Sequence, residues 1–264
     1  MTRVLVPVAV LDGGGVSPGL MSLLGTVDVT VLGYHVLPEQ TPPDQARLQF
    51  EERATSALDD LSQEFRAAGG AADHRLVFTH DRQQTIQRVA GEVDADAFAV
   101  TGTTGDVDRI LVSLSGDVDV DRILSFVEAL IGGRDIGVTL VLAGGSQAPG
   151  DDVTDAATSE GTDAADAADP RLEAAVGRLR EAAIAVNTVV ARDRSAFDAL
   201  IDAVPDHDAV VMGERAPSFR SFVLGDESER VATASVGPVL VVRDRRDSDG
   251  ADGADAGETA ASDE

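Results

Sequence analysis

Residues 212–243 read MGERAPSFRSFVLGDESERVATASVGPVLVVR and contain the most informative local pattern in the chain. A buried strand predicted over 209–212 leads into Gly213 and a loop of small residues. A helix is predicted over 228–234, and the apolar run 238–242 predicts a closing strand. Strand, glycine loop, helix and strand in this order are typical of an α/β fold with a parallel sheet.

The residues before this stretch extend the same alternation of strands and helices. Apolar runs of strand length alternate with segments of helical periodicity. The predicted strands of this part are 110–114, 137–143 and 188–191, and the predicted helices are 121–131, 171–185 and 195–204.

An earlier copy of the alternation occupies residues 3–101, so the chain carries an internal repeat. Its predicted strands are 3–10, 27–36, 74–79 and 97–101, and its predicted helices are 17–25, 43–68 and 83–93. Ser17 is expected to cap the first of these helices. The second helix is expected to bury Leu48, Ala54, Leu58, Leu61 and Phe65.

The predicted fold class is therefore α/β, with two tandem, open, parallel-sheet domains of Rossmann-like type and helices on both faces. The predicted domains are 1–108, which stops after its fourth strand, and 109–244. Two segments, 145–170 and 245–264, are acidic and nearly free of large apolar residues, so both are expected to be disordered. A domain that stops after its fourth strand leaves an open edge, which we expect the second domain or another chain to cover.

The amino-acid composition of the chain limits the classes of function that it can have. The net charge is −26, from 47 acidic and 21 basic residues, and every basic residue is arginine. Such acidity disfavours binding to nucleic acid or anionic lipid and indicates adaptation to a high-salt cytoplasm. The chain has no cysteine, no apolar run long enough to span a membrane and no secretory leader pattern at Met1, so a cytoplasmic protein is expected.

Several segments resemble the universal stress protein family, in its tandem-domain haloarchaeal form. Residues 212–243 resemble the family's carboxyl-terminal signature, and VLVPVAV at 4–10 resembles its first strand. GYHVLPE at 33–39 and QARLQFEERATSALDDL at 45–61 resemble the end of its second strand and its second helix. The resemblance covers most of 3–105 and 109–243, and it implies a cytoplasmic stress-response module.

Nucleotide-binding members of that family carry a phosphate loop of Gly, two residues, Gly, nine residues, Gly and then Ser or Thr. The corresponding residues here are Gly213, Ala216, Gly225 and Asp226, with eight residues between Ala216 and Gly225. Asp226 can cap the following helix, which contains Ser228. Its charge would also oppose a phosphate about 4 Å away by roughly 4 kcal/mol at an effective dielectric of 20.

The family's nucleotide binders also place an Asp at the end of the first strand, where this chain has Ala9 in the first repeat and Ser115 in the second. The first repeat keeps the start of a phosphate loop at Gly102 and Gly105. Only Asp106, Val107 and Asp108 then precede the next strand, so this half-site is truncated.

The sequence gives little support for a metal site or for catalysis. The histidines at 35, 74, 80 and 207 have no metal-ligand spacing, and Asp119 and Asp121 suit a helix start better than a metal site. Ser115, Gly116 and Asp117 only partly match the loop of adenine-nucleotide hydrolases. No catalytic or metal-binding residue is predicted, and the chain is not expected to be an enzyme.

Two functions remain open. The first is a non-catalytic regulatory or stress-response module with degenerate nucleotide sites and no cofactor. The second is an ATP or adenine-nucleotide binder that uses the loop after the fourth strand of the second domain. The two domains of one chain are expected to pair with each other as a pseudo-dimer. The other expected partners are a second copy of the chain, in a homodimer, and another protein whose nature the sequence does not specify.

Overall fold

One mixed sheet organises the chain in the computed structural model, which describes residues 1–69, 71–100, 102–143, 169–192, 194–217 and 237–244. We call residues 1–108 the first half and 109–244 the second half. The predicted helix at 228–234, the tail at 245–264 and nearly all of the predicted loop at 145–170 lie outside the described residues. Asp169 and Pro170 are described, and they begin a helix.

The first half alternates strands and helices as predicted. Leu24–Thr26 forms a short 3₁₀ turn after α1. The elements are β1 (Arg3–Ala9), α1 (Pro18–Leu23), β2 (Asp28–Val36), α2 (Pro43–Ala67), β3 (Ala71–Thr79), α3 (Arg82–Glu92) and β4 (Ala97–Val100).

The second half repeats the alternation. Val204–Asp206 forms a 3₁₀ turn after α6. The elements are β5 (Arg109–Ser113), α4 (Val120–Ile131), β6 (Gly137–Ala143), α5 (Pro170–Glu181), β7 (Val186–Ala191), α6 (Ala196–Ala203), β8 (Ala209–Gly213) and β9 (Val239–Val242).

The described strands form a single nine-stranded sheet in the order β3-β2-β1-β4-β9-β8-β5-β6-β7. Strands within each half are parallel. The halves meet where β9 runs antiparallel to β4, with Val100 opposite Val239 and Ala97 opposite Val242. The edge of β4 predicted to be open is therefore covered by the second half. The sheet is continuous, so a division into two domains at residue 108 stays a prediction.

Helices cover both faces of the sheet, as the α/β interpretation requires. One apolar layer includes residues of α1, α2, α4 and α5, and the other includes residues of α3 and α6. Successive residues of β9 enter the two layers alternately, because a strand points its side chains to opposite faces in turn. Leu240 and Val242 lie in the first layer, and Val239 and Val241 lie in the second.

Two details of the predicted helices are wrong. Leu48 is 91% exposed, because the buried stripe of α2 instead begins at Ala46 and continues through Ala54 and Leu58. Two residues along a helix is a rotation of about 200°, which places Leu48 opposite that stripe. Helix α5 ends at Glu181 rather than at 185, because Ala183 adopts φ 59° and so leaves the right-handed helical region.

Arg134, which follows α4, joins the two halves through backbone carbonyls. Its guanidinium donates to Ser22 O and Leu23 O, each at 2.7 Å, at the end of α1. It also donates to Leu130 O and Ile131 O at the end of α4. Burial lowers the pKa of Arg134 from its ordinary value. The guanidinium thus adds a charged donor to carbonyls at the ends of both helices and complements the helix dipoles.

A second contact between the halves involves Asp96, just before β4. Its carboxylate accepts from the Arg3 backbone N–H at 2.9 Å and from Arg122 Nη2 of α4 at 3.1 Å. Its carbonyl accepts from the Arg243 N–H at 2.8 Å, directly after β9. The amino end of the first-half strands therefore lies beside the carboxyl end of β9.

Candidate functional site

Two loops meet at the carboxyl end of the second-half strands, which is where ligands bind in open parallel sheets. The loop after β5 contains Ser115 and Gly116, and the loop after β8 runs on from Gly213. Gly116 lies so close to Pro217 that a Cβ would collide with the Pro217 ring. A Cβ at Gly213 would approach Val118 to 3.0 Å. These two loops therefore lie close together in the structure.

Ser115 is fully buried, and its Oγ accepts the backbone N–H of Ala143 at 2.9 Å. The hydroxyl therefore ties the loop after β5 to the end of β6. Nearby, Ser113 Oγ on β5 is also buried and has no hydrogen-bond partner among the described residues. Sequence reasoning missed Ser113, because serine within an apolar strand carries no signal for the direction of its hydroxyl.

Arg171, in the first turn of α5, adds a positive charge to this end of the sheet. Its Nη2 donates to Leu114 O at 3.1 Å and to Gly116 O at 3.3 Å. Sequence reasoning missed this residue as well. In the sequence, Arg171 is marked only as the first basic residue after the acidic segment. The direction of its side chain depends on how α5 packs on the sheet.

The loop after β8 is compact where the structure describes it. Ala216 is buried, and its N–H donates to Gly213 O at 3.0 Å. Glu214 N–H donates to Val242 O at 2.8 Å, which holds the loop against β9. A cavity of about 10 Å³ beside Gly213, Arg122 and Arg243 has room for a single water molecule. Gly225, Asp226 and Ser228 lie outside the described residues.

The first-half glycines are engaged in backbone packing. A Cβ at Gly102 would lie 2.6 Å from Gly237 O, so Gly102 abuts the segment that leads into β9. A Cβ at Gly19 would collide with Gly105 O, so the loop after β4 presses on the first turn of α1. Gly102 and Gly105 therefore lie in close backbone contacts, and the latter covers the start of the helix that follows β1.

The two candidate regions lie at opposite rims of the sheet. Because β4 and β9 are antiparallel, the carboxyl ends of the first-half strands lie beside the amino ends of the second-half strands. Gly102 is consequently near Gly237, and Gly213 is on the far rim. Among the candidate residues that the structure describes, those of the first half and those of the second half are therefore not brought into one site.

The remaining candidate residues have structural contacts. Asp119 caps α4 by accepting the Arg122 N–H at 3.1 Å, as the helix-start interpretation predicts. His207 contacts Ala203 O and Thr139 Oγ1, each at 2.7 Å. Among the described residues, no group of three or more histidines and acidic residues could hold a metal ion. Within the same ranges, no helix is long and apolar enough to cross a membrane.

Replacing Gly19 with alanine is expected to lower the free energy of unfolding by about 3 kcal/mol, because the added methyl must displace the Gly105 backbone. Gly177→Ala is the matched control. Gly177 lies in α5 with open space around it, so alanine there should stabilise the protein by up to about 1 kcal/mol. Urea unfolding in molar KCl measures both changes, and equal effects of the two variants would contradict the close packing at Gly19.

The family model for universal stress proteins matches residues 106–243, which is more than half of the 264-residue chain. The chain belongs to the universal stress protein family. The matched region is the second half, in which the loops after β5 and β8 converge. No curated protein matches the chain in sequence.

A solved structure of a universal stress protein has a matching fold over nearly the whole chain. A universal stress protein from Archaeoglobus fulgidus DSM 4304 is 18% identical with a TM-score of 0.58, over 91% of this chain and 96% of that one. The cytoplasmic domain of a prokaryotic cation chloride cotransporter is 12% identical with a TM-score of 0.43, over 91% and 94%. An Archaeoglobus fulgidus universal stress protein in complex with dAMP is 16% identical with a TM-score of 0.26, over 53% and 97%.

Proposed function

We propose that this universal stress protein is a non-catalytic regulatory module of the stress response, with nucleotide sites that have lost their function. The observation that carries the proposal is the burial and hydrogen bonding of Ser115. Where the family's nucleotide binders have an Asp, this chain has a small buried hydroxyl that is already bonded to the Ala143 N–H. A nucleoside therefore has no carboxylate to bind at the position of Ser115.

The described part of the loop after β8 supports the same proposal. Ala216 stands where the phosphate loop requires its second glycine, and its side chain packs in the apolar layer with Met212 and Leu200. A Cβ at that position limits how closely the backbone can approach a phosphate. Asp226, known only from the sequence, adds a negative charge where the motif has Ser or Thr.

In the first half, the contact of Gly105 with Gly19 supports a structural role for the loop after β4. Because this loop is pressed against the first turn of α1, the backbone N–H groups of the loop are poorly placed to bind a phosphate. The first half then serves to complete the sheet, and its Gly102 and Gly105 act in packing.

One observation favours the second candidate function, which is binding of ATP or another adenine nucleotide by the second half. Arg171 brings a guanidinium to the end of β5, next to the loop that contains Gly116. An arginine at this position could pair with a phosphate and offset the charge of Asp226. In this alternative Gly213, Gly225 and Ser228 would supply the remaining phosphate contacts.

Isothermal titration of the full chain with MgATP in molar KCl distinguishes the two functions. We expect no binding tighter than about millimolar, because the carboxylate of the nucleoside site is absent and Asp226 opposes the phosphates. Micromolar binding would contradict the proposal. If such binding is lost in Arg171→Ala but kept in Arg180→Ala, an exposed arginine of the same helix, the second function is established instead.

We also propose, from composition, that the protein works in a high-salt cytoplasm. The excess of 47 acidic over 21 basic residues supports this setting, because molar salt screens the repulsion that such a surface creates. The same acidity supports protein rather than nucleic-acid partners.

A further inference from the structure

His35, near the end of β2, has a buried ring nitrogen without a hydrogen-bond partner. Its Nδ1 is shielded from solvent, and no described residue forms a hydrogen bond with it. The side chain as a whole is 20% exposed. Buried polar atoms are paired in the great majority of cases, so an unpaired nitrogen of this kind requires a physical explanation.

The loop after β1 brings a carboxylate close to this nitrogen. Asp12 Oδ2 lies 3.8 Å from His35 Nδ1, which is too long for a hydrogen bond. The Asp12 side chain is 61% exposed, so it has room to turn toward the ring. The loop itself is tied to the end of β1, because the N–H groups of Asp12 and Gly14 both donate to Ala9 O at 3.1 Å. A movement of about 1 Å would therefore complete a charge-assisted hydrogen bond between the two side chains.

The elements packed directly on the His35 ring are apolar. The ring of Phe50, from α2, has its centroid 5.8 Å from that of the imidazole, and the ring of Phe78, from β3, has its centroid 6.4 Å away. Both phenylalanines belong to a small apolar cluster that also contains Leu37 and Ala46. These neighbours shield the imidazole from water, and none of them can pair with a protonated ring.

The other titratable groups of these elements have partners of their own. On α2, Arg47 Nε lies 3.8 Å from Glu51 Oε1, and these two residues flank Phe50. After β3, His80 Nδ1 lies 3.2 Å from Leu37 O. Among the groups described around the His35 ring, the Asp12 carboxylate is therefore the one that can answer a positive charge on it.

We propose that His35 and Asp12 form a proton-dependent latch for the loop after β1. When His35 takes up a proton from solvent, its Nδ1–H donates to the Asp12 carboxylate and draws the loop against the end of β2. When the proton leaves, the pair is lost, and the loop keeps only its backbone bonds to Ala9. Imidazoles commonly change charge between about pH 5 and pH 8. The latch therefore adds stability in acid, and that contribution is lost as the pH rises.

The latch acts at the carboxyl rim of the first-half strands. Ala9, to which the loop is bonded, occupies the position where the family's nucleotide binders have an Asp. In acid the closed loop holds its backbone over this position more firmly. The inference does not depend on the proposed function, because it concerns only the packing of the loop on β1 and β2.

An NMR titration of the full chain in molar KCl, from pH 8 to pH 5.5, tests the latch. The amide signals of Gly13 and Gly14 should shift in step with the ring signals of His35. Protection of the Gly14 N–H from hydrogen exchange should rise by roughly threefold at the acid end, the strength of a partly exposed ion pair. Asp12→Asn keeps the shape of the side chain and removes its charge, so it should abolish both responses. His35→Gln should do the same.

The matched control is His74→Gln. His74 Nδ1 also lies 3.8 Å from a carboxylate, that of Asp59, but Ser62 Oγ is 3.3 Å from the same nitrogen, and β3 pairs His74 with Val31, away from the loop. This variant should leave the pH response of the loop unchanged. If His35→Gln does not fold, Asp12→Asn decides, because its side chain is largely exposed. A wild-type loop that does not respond to pH overturns the inference, and so does a response that persists in Asp12→Asn.

Discussion

Shortening Leu240 to alanine is expected to lower the free energy of unfolding of the whole chain by about 4 kcal/mol. Leu240 is completely buried in β9, opposite Ala99 of β4 on one side and Val211 of β8 on the other. The cavity left by the substitution would open in the layer shared by the two halves. Both halves should therefore unfold together, in one destabilised transition.

Urea unfolding in molar KCl, followed by circular dichroism, measures this effect. Leu48→Ala is the matched control, because the same atoms are removed from a side chain that is 91% exposed. It should change the free energy of unfolding by less than about 0.5 kcal/mol. Two separate transitions, of which only one responds to Leu240→Ala, would show that β9 does not couple the halves.

Removing salt is expected to destabilise the protein more broadly. Lowering KCl from about 1 M to about 0.1 M lengthens the Debye length from about 3 Å to about 10 Å, so charges on the surface interact over longer distances. With a net charge of −26, most of the added interactions are repulsive. We expect Tm to fall by more than about 10 °C, which for a chain of this size corresponds to several kcal/mol.

Thermal unfolding at several KCl concentrations checks this prediction, and sucrose is the control. Sucrose stabilises folded proteins by exclusion from their surface and does not screen charge. It should recover only a small part of the stability lost at low salt. A Tm that is unchanged by salt, or equally restored by sucrose, would rule out charge repulsion as the cause.

Much of the fold could be predicted from the sequence, because apolar periodicity follows directly from burial. The strands of a parallel sheet are buried on both faces, so 137–143 and 209–212 read as continuous apolar runs. Gly69, at φ 97°, marks the end of α2 near its predicted position. The error at Leu48 arose because one leucine can satisfy helical spacing approximately without facing the core. Only the assembled sheet shows that the stripe begins at Ala46 instead.

The arrangement of the two halves could be predicted only in part. An open edge at β4 follows from the short segment 106–108, which leaves no room for a further helix and strand. The choice of β9 as the strand that covers this edge depends on pairing between residues that are far apart in sequence, such as Ala99 and Leu240. Local patterns carry no information on such a pairing or on its antiparallel direction.

The residues of the candidate site could likewise be predicted only in part. Ser115 and Gly213 were found because they follow strands, and the ends of parallel strands lie at one rim. Arg171 was missed because its guanidinium reaches Leu114 O across the space between α5 and β5. Ser113 was missed because its lack of a partner depends on what surrounds the hydroxyl.

The position of Asp96 has a practical consequence for protein engineering. Arg3 bonds to Asp96, Asp96 bonds to Arg122, and Arg122 lines the small cavity beside Gly213. An affinity tag or fluorescent protein fused ahead of Arg3 would therefore start at the same rim of the sheet as the loops after β5 and β8. The turn at Gly13 and Gly15, with open space around both glycines at the opposite rim, is the better place for a label.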